Sequence, residues 1–294
     1  MKKLGIVCPR GGGDIVIVLP IAKWYHDLNY EIHWVIDEMF KSAFQKMCSW
    51  INFIGITPDE NQGPLYGNIF NSYWCEEPRR ILKELTCEQI FTFIYEDIKY
   101  RIPGTESRIN DDPLSIRAYH LRLPYFKRFD EYRYAYANIP LMQKWKLSEC
   151  INRDLESEQT LYNKIVDKNK KQVVFNLTGG TDGGLKLDID RVQFLKSINL
   201  NPDEIQCIDI EKLSDNPFDW LLLIEKSEAF VCIDSMFANI VDQLLVPVDK
   251  YFIRRSPWDA TPVLGSNWNY LPIELPTDAE IQQRQYADRR PKEN

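Results

Sequence analysis

The 294-residue chain lacks a Cys-x-x-Cys pair, has only three histidines, and contains no apolar run approaching the ~20 residues that span a bilayer. Its seven cysteines, Cys8, Cys48, Cys75, Cys87, Cys150, Cys207 and Cys232, are odd in number and scattered. That pattern excludes a disulfide framework and a zinc ribbon, and it fits reduced thiols in a cytoplasmic protein. His26, His33 and His120 stand too far apart for metal-ligand spacing, so no metal is expected. The basic start MKK is followed by an apolar run too short for a secretory leader and cut by Pro9 and Arg10. Lys and Arg (36) fall short of Asp and Glu (43), for a formal charge of −7. This deficit argues against a protein that coats nucleic acid nonspecifically, because such binding depends on neutralising phosphates. A local basic groove stays possible.

What is present is a globular composition, 44% hydrophobic and 27% charged, long enough for two domains. Short apolar runs alternate with helical patterns: strands at 4–8, 31–37, 50–56 and 90–96, helices at 14–28, 39–47 and 78–85. Strands separated by helices imply right-handed crossovers and a parallel sheet. Residues 97–123 show no period and read as loop. The charged stretch 147–172 reads as a solvated helix leading to a hinge. Beyond it the alternation resumes, with strands at 173–177, 205–210, 229–234 and 250–253 and helices near 190–197, 218–226 and 235–245. The expected fold class is therefore α/β: a Rossmann-like domain at 1–145, a helical linker at 146–171, a second Rossmann-like domain at 172–275, and a tail at 276–294 that crosses back.

The stretch RGGGDIVIVLP (Arg10 to Pro20) puts three glycines and an aspartate where the first strand turns into a helix. Bare backbone there lets N–H groups approach an anion at the positive end of the helix dipole. A Walker loop would need Gly-Lys-Ser/Thr, which is missing, and a dinucleotide fingerprint would need a third glycine where the helix continues Ile-Val-Ile-Val. The missing fingerprint disfavours a Rossmann oxidoreductase. On these residues alone, Asp14 is either a functional carboxylate or a helix cap.

Gly13-Asp14, then Leu19-Pro20 and Ala22 in the same helix, then IHWVIDEMF (Ile32 to Phe40), resemble the start of the lipopolysaccharide heptosyltransferase family, glycosyltransferase family nine. Pro20 strengthens the resemblance, since a proline inside a helix costs about 3 kcal/mol. Two segments of the second half add to it. VVFNLTGGTDGGLK (Val173 to Lys186) resembles the family's strand and phosphate loop, and CIDSMFANIVDQL (Cys232 to Leu244) its Asp-Ser strand end and helix, with Met236 replacing a glycine and Asn239 a histidine. The resemblance implies a GT-B fold, with two Rossmann-like domains facing across a cleft. It also implies a nucleotide-sugar co-substrate, no further cofactor, and an inverting transfer with Asp14 as catalytic base. Donor-binding candidates are Gly12, Gly13, Thr178, Gly179, Thr181, Lys186, Asp234, Ser235 and Asn239.

Arg254 and Arg255 follow the last strong strand, at the carboxyl end where open α/β sheets bind ligands, and are either donor contacts or a surface pair. Glu225 faces either a ribose or solvent. Asp188 and Asp190 spell an Asp-x-Asp pair, read here as capping the following helix rather than holding metal. Arg10, His120 and Arg128 are acceptor-side candidates. RLPYFKRFDEYRYAY (Arg122 to Tyr136) interleaves cations with rings, which suits an anionic or stacked acceptor, or a helix with one aromatic core face. The resemblance implies a bacterial surface glycan as acceptor, while the acidic, aromatic-rich chain and its basic-aromatic segment keep a hydroxylated base in phage DNA as the alternative. The rival class is a noncatalytic nucleotide- or sugar-binding protein on the same scaffold.

Overall fold

The computed structural model describes residues 1–57, 73–93, 129–179, 185–211, 213–253, 264–265 and 267–271. Thr181, Arg254, Arg255, His120 and Arg128, the loop expected at 97–123 and the tail at 276–294 lie outside them.

The first half holds β1 (Lys2–Val7), α1 (Gly12–Asp27), β2 (Tyr30–Asp37), α2 (Glu38–Met47), β3 (Asn52–Ile56), α3 (Tyr73–Glu84) and β4 (Gln89–Thr92). Its four strands are parallel, in the order β3-β2-β1-β4. After α4 (Phe129–Tyr136), a 3-10 stretch at Leu141–Glu149 and α5 (Leu155–Ile165) lead into the second half. There β5 (Lys171–Asn176), the two-residue strands β6 (Thr178–Gly179) and β7 (Leu185–Lys186), and α6 (Arg191–Ser197) are followed by β8 (Ile205–Asp209). Next come α7 (Leu221–Glu225), β9 (Ala229–Ile233), α8 (Met236–Gln243), β10 (Asp249–Ile253) and β11 (Trp268–Leu271). The second sheet is also parallel, in the order β11-β10-β9-β5-β8.

Two reversals of strand order matter for function. In the first sheet the chain moves outward from β1 to β2 and β3, then returns to place β4 on the other side of β1. In the second it starts at β5, lays β8 on one side and β9 on the other. Ligands of open α/β sheets bind in the crevice opened at such a switch point, beyond the carboxyl ends of the strands.

Helix α1 joins the halves. Eight consecutive residues, Ile15 to Ala22, are buried, so the helix is apolar all round rather than on one stripe. One flank packs on β2, the others on α8 and the 3-10 stretch. Its β-branched IVIV run is a poor helix former by intrinsic preference, and burial between two layers overrides that preference. One continuous core accordingly includes Leu4 and Trp34 of the first half and Val174, Phe230 and Phe252 of the second.

The structure corrects several expectations. The solvated helix at 147–172 is broken: a 3-10 stretch ends at Glu149, Asp154 caps α5 by accepting from Ser157 N–H, and a strand begins at Lys171. Nor is it wholly solvated, because Glu158 is 1% exposed and paired with Arg153, which also binds Glu225. Glu225 is therefore a half-buried ion-pair partner rather than an open solvated charge. Helix α3 begins at Tyr73 and carries Pro78 inside it; the N–H that Pro78 lacks would have bonded only within the opening turns. Strand β11 had no clear alternation to announce it, and forms as Trp268 packs against Phe230 and Phe252. Asp190 caps α6, accepting from Gln193 N–H, as expected.

Candidate active site

Asp14 does not cap its helix. The N-cap of α1 is Gly11, at φ 82°, with no side-chain cap hydrogen bond. This left-handed backbone suits glycine, and a Cβ there would also stand 2.5 Å from Asp14 Oδ2. Asp14 sits in the first turn instead, half-buried, with its carboxylate in the field of the uncapped N–H groups.

Across from the glycines of this helix start stands the start of α8. A Cβ on Gly12 would meet Met236 Sδ at 2.5 Å, and one on Gly13 would meet Asn239 Nδ2 at 3.0 Å. The two switch points therefore face each other, and two helix N-termini converge at their meeting point. Converging positive ends repel, which an anion or carboxylate placed between them offsets. Ser235 caps α8, its hydroxyl accepting from Ala238 N–H at 3.3 Å. The backbone after β5 closes in as well, since a Cβ on Gly179 would lie 3.2 Å from Asp234 carbonyl oxygen. Thr178 and Lys186, both exposed, pair across the β6–β7 ribbon. The structure thus gathers Gly12, Gly13, Asp14, Met236 and Asn239 at the meeting of the halves. Gly179, Asp234 and Ser235 line the second switch point.

Arg10 is not presented to an incoming molecule: it is 8% exposed and pairs with Asp37 at 2.9 Å. Burial raises the Asp37 pKa, while Met39 N–H and Arg10 pull it back. Arg133, read from sequence only as part of a basic and aromatic segment, turns out to hold Asp14. Its Nη1 lies 2.8 Å from Asp14 Oδ1, and its side chain is 2% exposed against 29% for Asp14. Burial opposes the Arg133 charge, but Asp14, Cys8 and Asp130 outweigh it and keep the guanidinium above its ordinary range. Burial likewise pushes the neighbouring Cys8 thiol up to about 12, so it is no nucleophile at neutral pH. Nothing local in the sequence joins positions 14 and 133; only the packing of α4 on α1 brings them together.

Behind Arg133 the charges alternate into the second half. Asp130 Oδ2 takes a 2.7 Å bond from Lys144 Nζ, and Lys144 lies 3.5 Å from Asp242 Oδ2 in α8. Asp242 also accepts from Trp145 Nε1 at 3.0 Å, Trp268 Nε1 at 2.9 Å and Gly265 N–H at 2.7 Å. Asp130, Lys144 and Asp242 are each at most 1% exposed. A separate open cavity of about 200 Å³ among Pro20, Trp24, Lys146 and Cys150 borders later turns of α1 and holds none of the candidate residues.

A glycosyltransferase of family nine from Veillonella parvula DSM 2008 superposes on this architecture with a TM-score of 0.52 at 11% identity, over 99% of this chain and 90% of that one. The fold is shared. The ADP-heptose lipopolysaccharide heptosyltransferase II of E. coli aligns at 12% identity over 92% of this chain and 90% of its own, with a TM-score of 0.46. The iron-containing dodecameric glycosyltransferase TibC of enterotoxigenic E. coli H10407 aligns at 10% identity over 93% of this chain and 63% of its own, with a TM-score of 0.48. No protein-family model matches the sequence, and no curated protein does. The GT-B arrangement of two Rossmann-like sheets is thus established by architecture and likeness together. No helix among the described residues is long and apolar enough to cross a membrane.

Proposed function

We propose that the protein transfers a sugar from a nucleotide-sugar donor to a hydroxyl acceptor with inversion, without a metal, and with Asp14 as the base. The observation that carries this reading is the convergence of the two switch points: Gly12 and Gly13, which open the uncapped helix that carries Asp14 in its first turn, lie against Met236 and Asn239 at the start of α8. The donor diphosphate lies against the second half, its charge offset by the α8 N-terminus, the backbone at Thr178 and Gly179, and Lys186. Thr181, Arg254 and Arg255 complete that set in the proposal. The acceptor enters from the first half. Asp14 takes the hydroxyl proton as oxygen attacks the anomeric carbon, and the diphosphate leaves into donors already in place.

Arg133 gives the base its geometry. Binding one carboxylate oxygen fixes the side chain and leaves Oδ2 for the acceptor proton. The same pair also motivates the rival reading, a binding protein without turnover, because an ion pair at 2.8 Å to a buried guanidinium is also what a purely structural carboxylate would make.

The acceptor we favour is a glycan. A hydroxylated DNA base was suggested by the cations and rings of 122–136, but the described part of that segment turns Arg133 and Tyr134 into the interior, at 1% and 0% exposure. The test is a thermal-shift screen against nucleoside diphosphates and their sugars, followed by transfer assays with glycan and hydroxymethylated-DNA acceptors, with and without chelator. Stabilisation by a nucleotide sugar and chelator-resistant transfer are expected. Donor binding with neither transfer nor donor hydrolysis would establish the binding-protein reading.

A further inference from the structure

The converging helix ends supply N–H donors, which suit phosphate. Two side chains at the same place have the opposite character. Asn176 ends β5, in register with Cys232 of β9 and two residues short of Asp234. It is 4% exposed, and its Oδ1 is fully buried with no hydrogen-bond partner among the described residues. Asn239, in the first turns of α8, is 3% exposed; its Nδ2 donates to Ser235 carbonyl at 3.1 Å, while its Oδ1 likewise has no partner among them. Strand alternation puts Asn176 on the face of the sheet that carries Val174 and Cys232. These pack in the cluster shared with α1 and α8, whereas Val173, Phe175 and Leu177 belong to the other face. Both carboxamides therefore belong to the side of the second sheet that faces α8 and the start of α1.

A buried carbonyl oxygen without a donor costs about 1–3 kcal/mol, and buried polar groups in folded proteins are rarely left so. Two of them, on separate elements bordering one switch point, ask for O–H or N–H groups from outside the chain. A diphosphate has only acceptors to offer. A sugar has hydroxyls.

We propose that Asn176 reads the donor sugar, its side-chain carbonyl accepting a hydroxyl, with Asn239 taking a second. The proposal rests on the nucleotide-sugar reading above and divides that ligand by chemistry: backbone N–H groups for the diphosphate, asparagine carbonyls for the sugar.

The test uses the full chain and the variants Asn176→Leu and Asn176→Asp. Each is measured for unfolding temperature without ligand and for affinity toward ADP, UDP and GDP and toward ADP-glucose, UDP-glucose and GDP-mannose. Leucine has the shape of asparagine without its polar atoms. Relief of the unmatched group should raise the ligand-free Tm by about 2–4 °C, while the preference for a nucleotide sugar over its parent diphosphate falls at least tenfold and diphosphate affinity holds. A carboxylate at this position would still accept a hydroxyl, so Asn176→Asp should keep that preference even as its charge weakens the diphosphate. A lower Tm for Asn176→Leu shows a structural partner and overturns the proposal. So does an undiminished sugar preference, or an equal loss for diphosphate and sugar nucleotide, which would make the amide a phosphate donor. These failures leave the proposed function standing if the wild type binds nucleotide sugars; a wild type that binds none of the six probes removes both.

Discussion

The two helix starts that meet at the centre of the molecule are built in opposite ways. Helix α8 has a hydroxyl cap in Ser235, and Asp37, Asp154 and Asp190 cap three other helices with carboxylates. Helix α1 starts on a bare glycine, and its acidic residue stands inside the first turn, held by an arginine from α4. The cap on α8 takes one amide, Ala238 N–H, and leaves the others of its first turn for a ligand. An uncapped start keeps all of them. Under the proposed function, the first half's switch point is the side where chemistry is arranged and the second half's the side where a ligand is seated.

The sharpest way to break this contrast is at Asp14. Replacement by Asn preserves shape and removes the base, so transfer should fall by about 10²- to 10⁴-fold while nucleotide binding holds within a few-fold; full turnover would return Asp14 to a structural role. Next is the clamp between the halves. Lys144→Met leaves Asp130 and Asp242 buried without their shared cation, and urea unfolding should show a loss of about 3–5 kcal/mol. A change under about 1 kcal/mol would mean the alternating charges do not hold the halves together.

Gly11→Ala is milder. It forces a left-handed conformation on a residue with a side chain and presses on Asp14, which should cost about 1–2 kcal/mol and reduce transfer further than stability alone explains. Last is Ser235→Ala, expected to cost about 1 kcal/mol in thermal or urea unfolding, in line with a cap whose work is structural. If it instead lowers donor affinity tenfold at unchanged stability, the two helix starts are more alike than their caps suggest.

Much of the scaffold was legible because it depends on local pattern. Runs such as LGIVC, VVFNL and AFVCID are buried on both faces, as strands of a covered parallel sheet must be, and apolar continuity in short segments announces that. The glycines of 11–13 announced a turn with an exposed helix start, and the resemblance carried by Gly13-Asp14 and Asp234-Ser235 pointed to the same two strand ends that the topology identifies as switch points. Less legible were features whose cause is distant in sequence. Helix α5 reads as a solvated charged helix until Arg153 is seen to hold Glu158 and Glu225. Arg10 reads as a cation offered to an acceptor until Asp37 takes it.

The amino-acid order alone determined where the chain must be bare, apolar or turned, since those demands are met by a residue and its near neighbours. Which carboxylate receives which cation was settled only by folding. Asp14 with Arg133, Asp130 with Lys144, and Asp242 with two indoles are contacts between segments roughly fourteen to a hundred and twenty positions apart. A buried charge takes whichever partner the packing delivers, and the packing here is decided by a helix buried between the first sheet and α8 within one shared core.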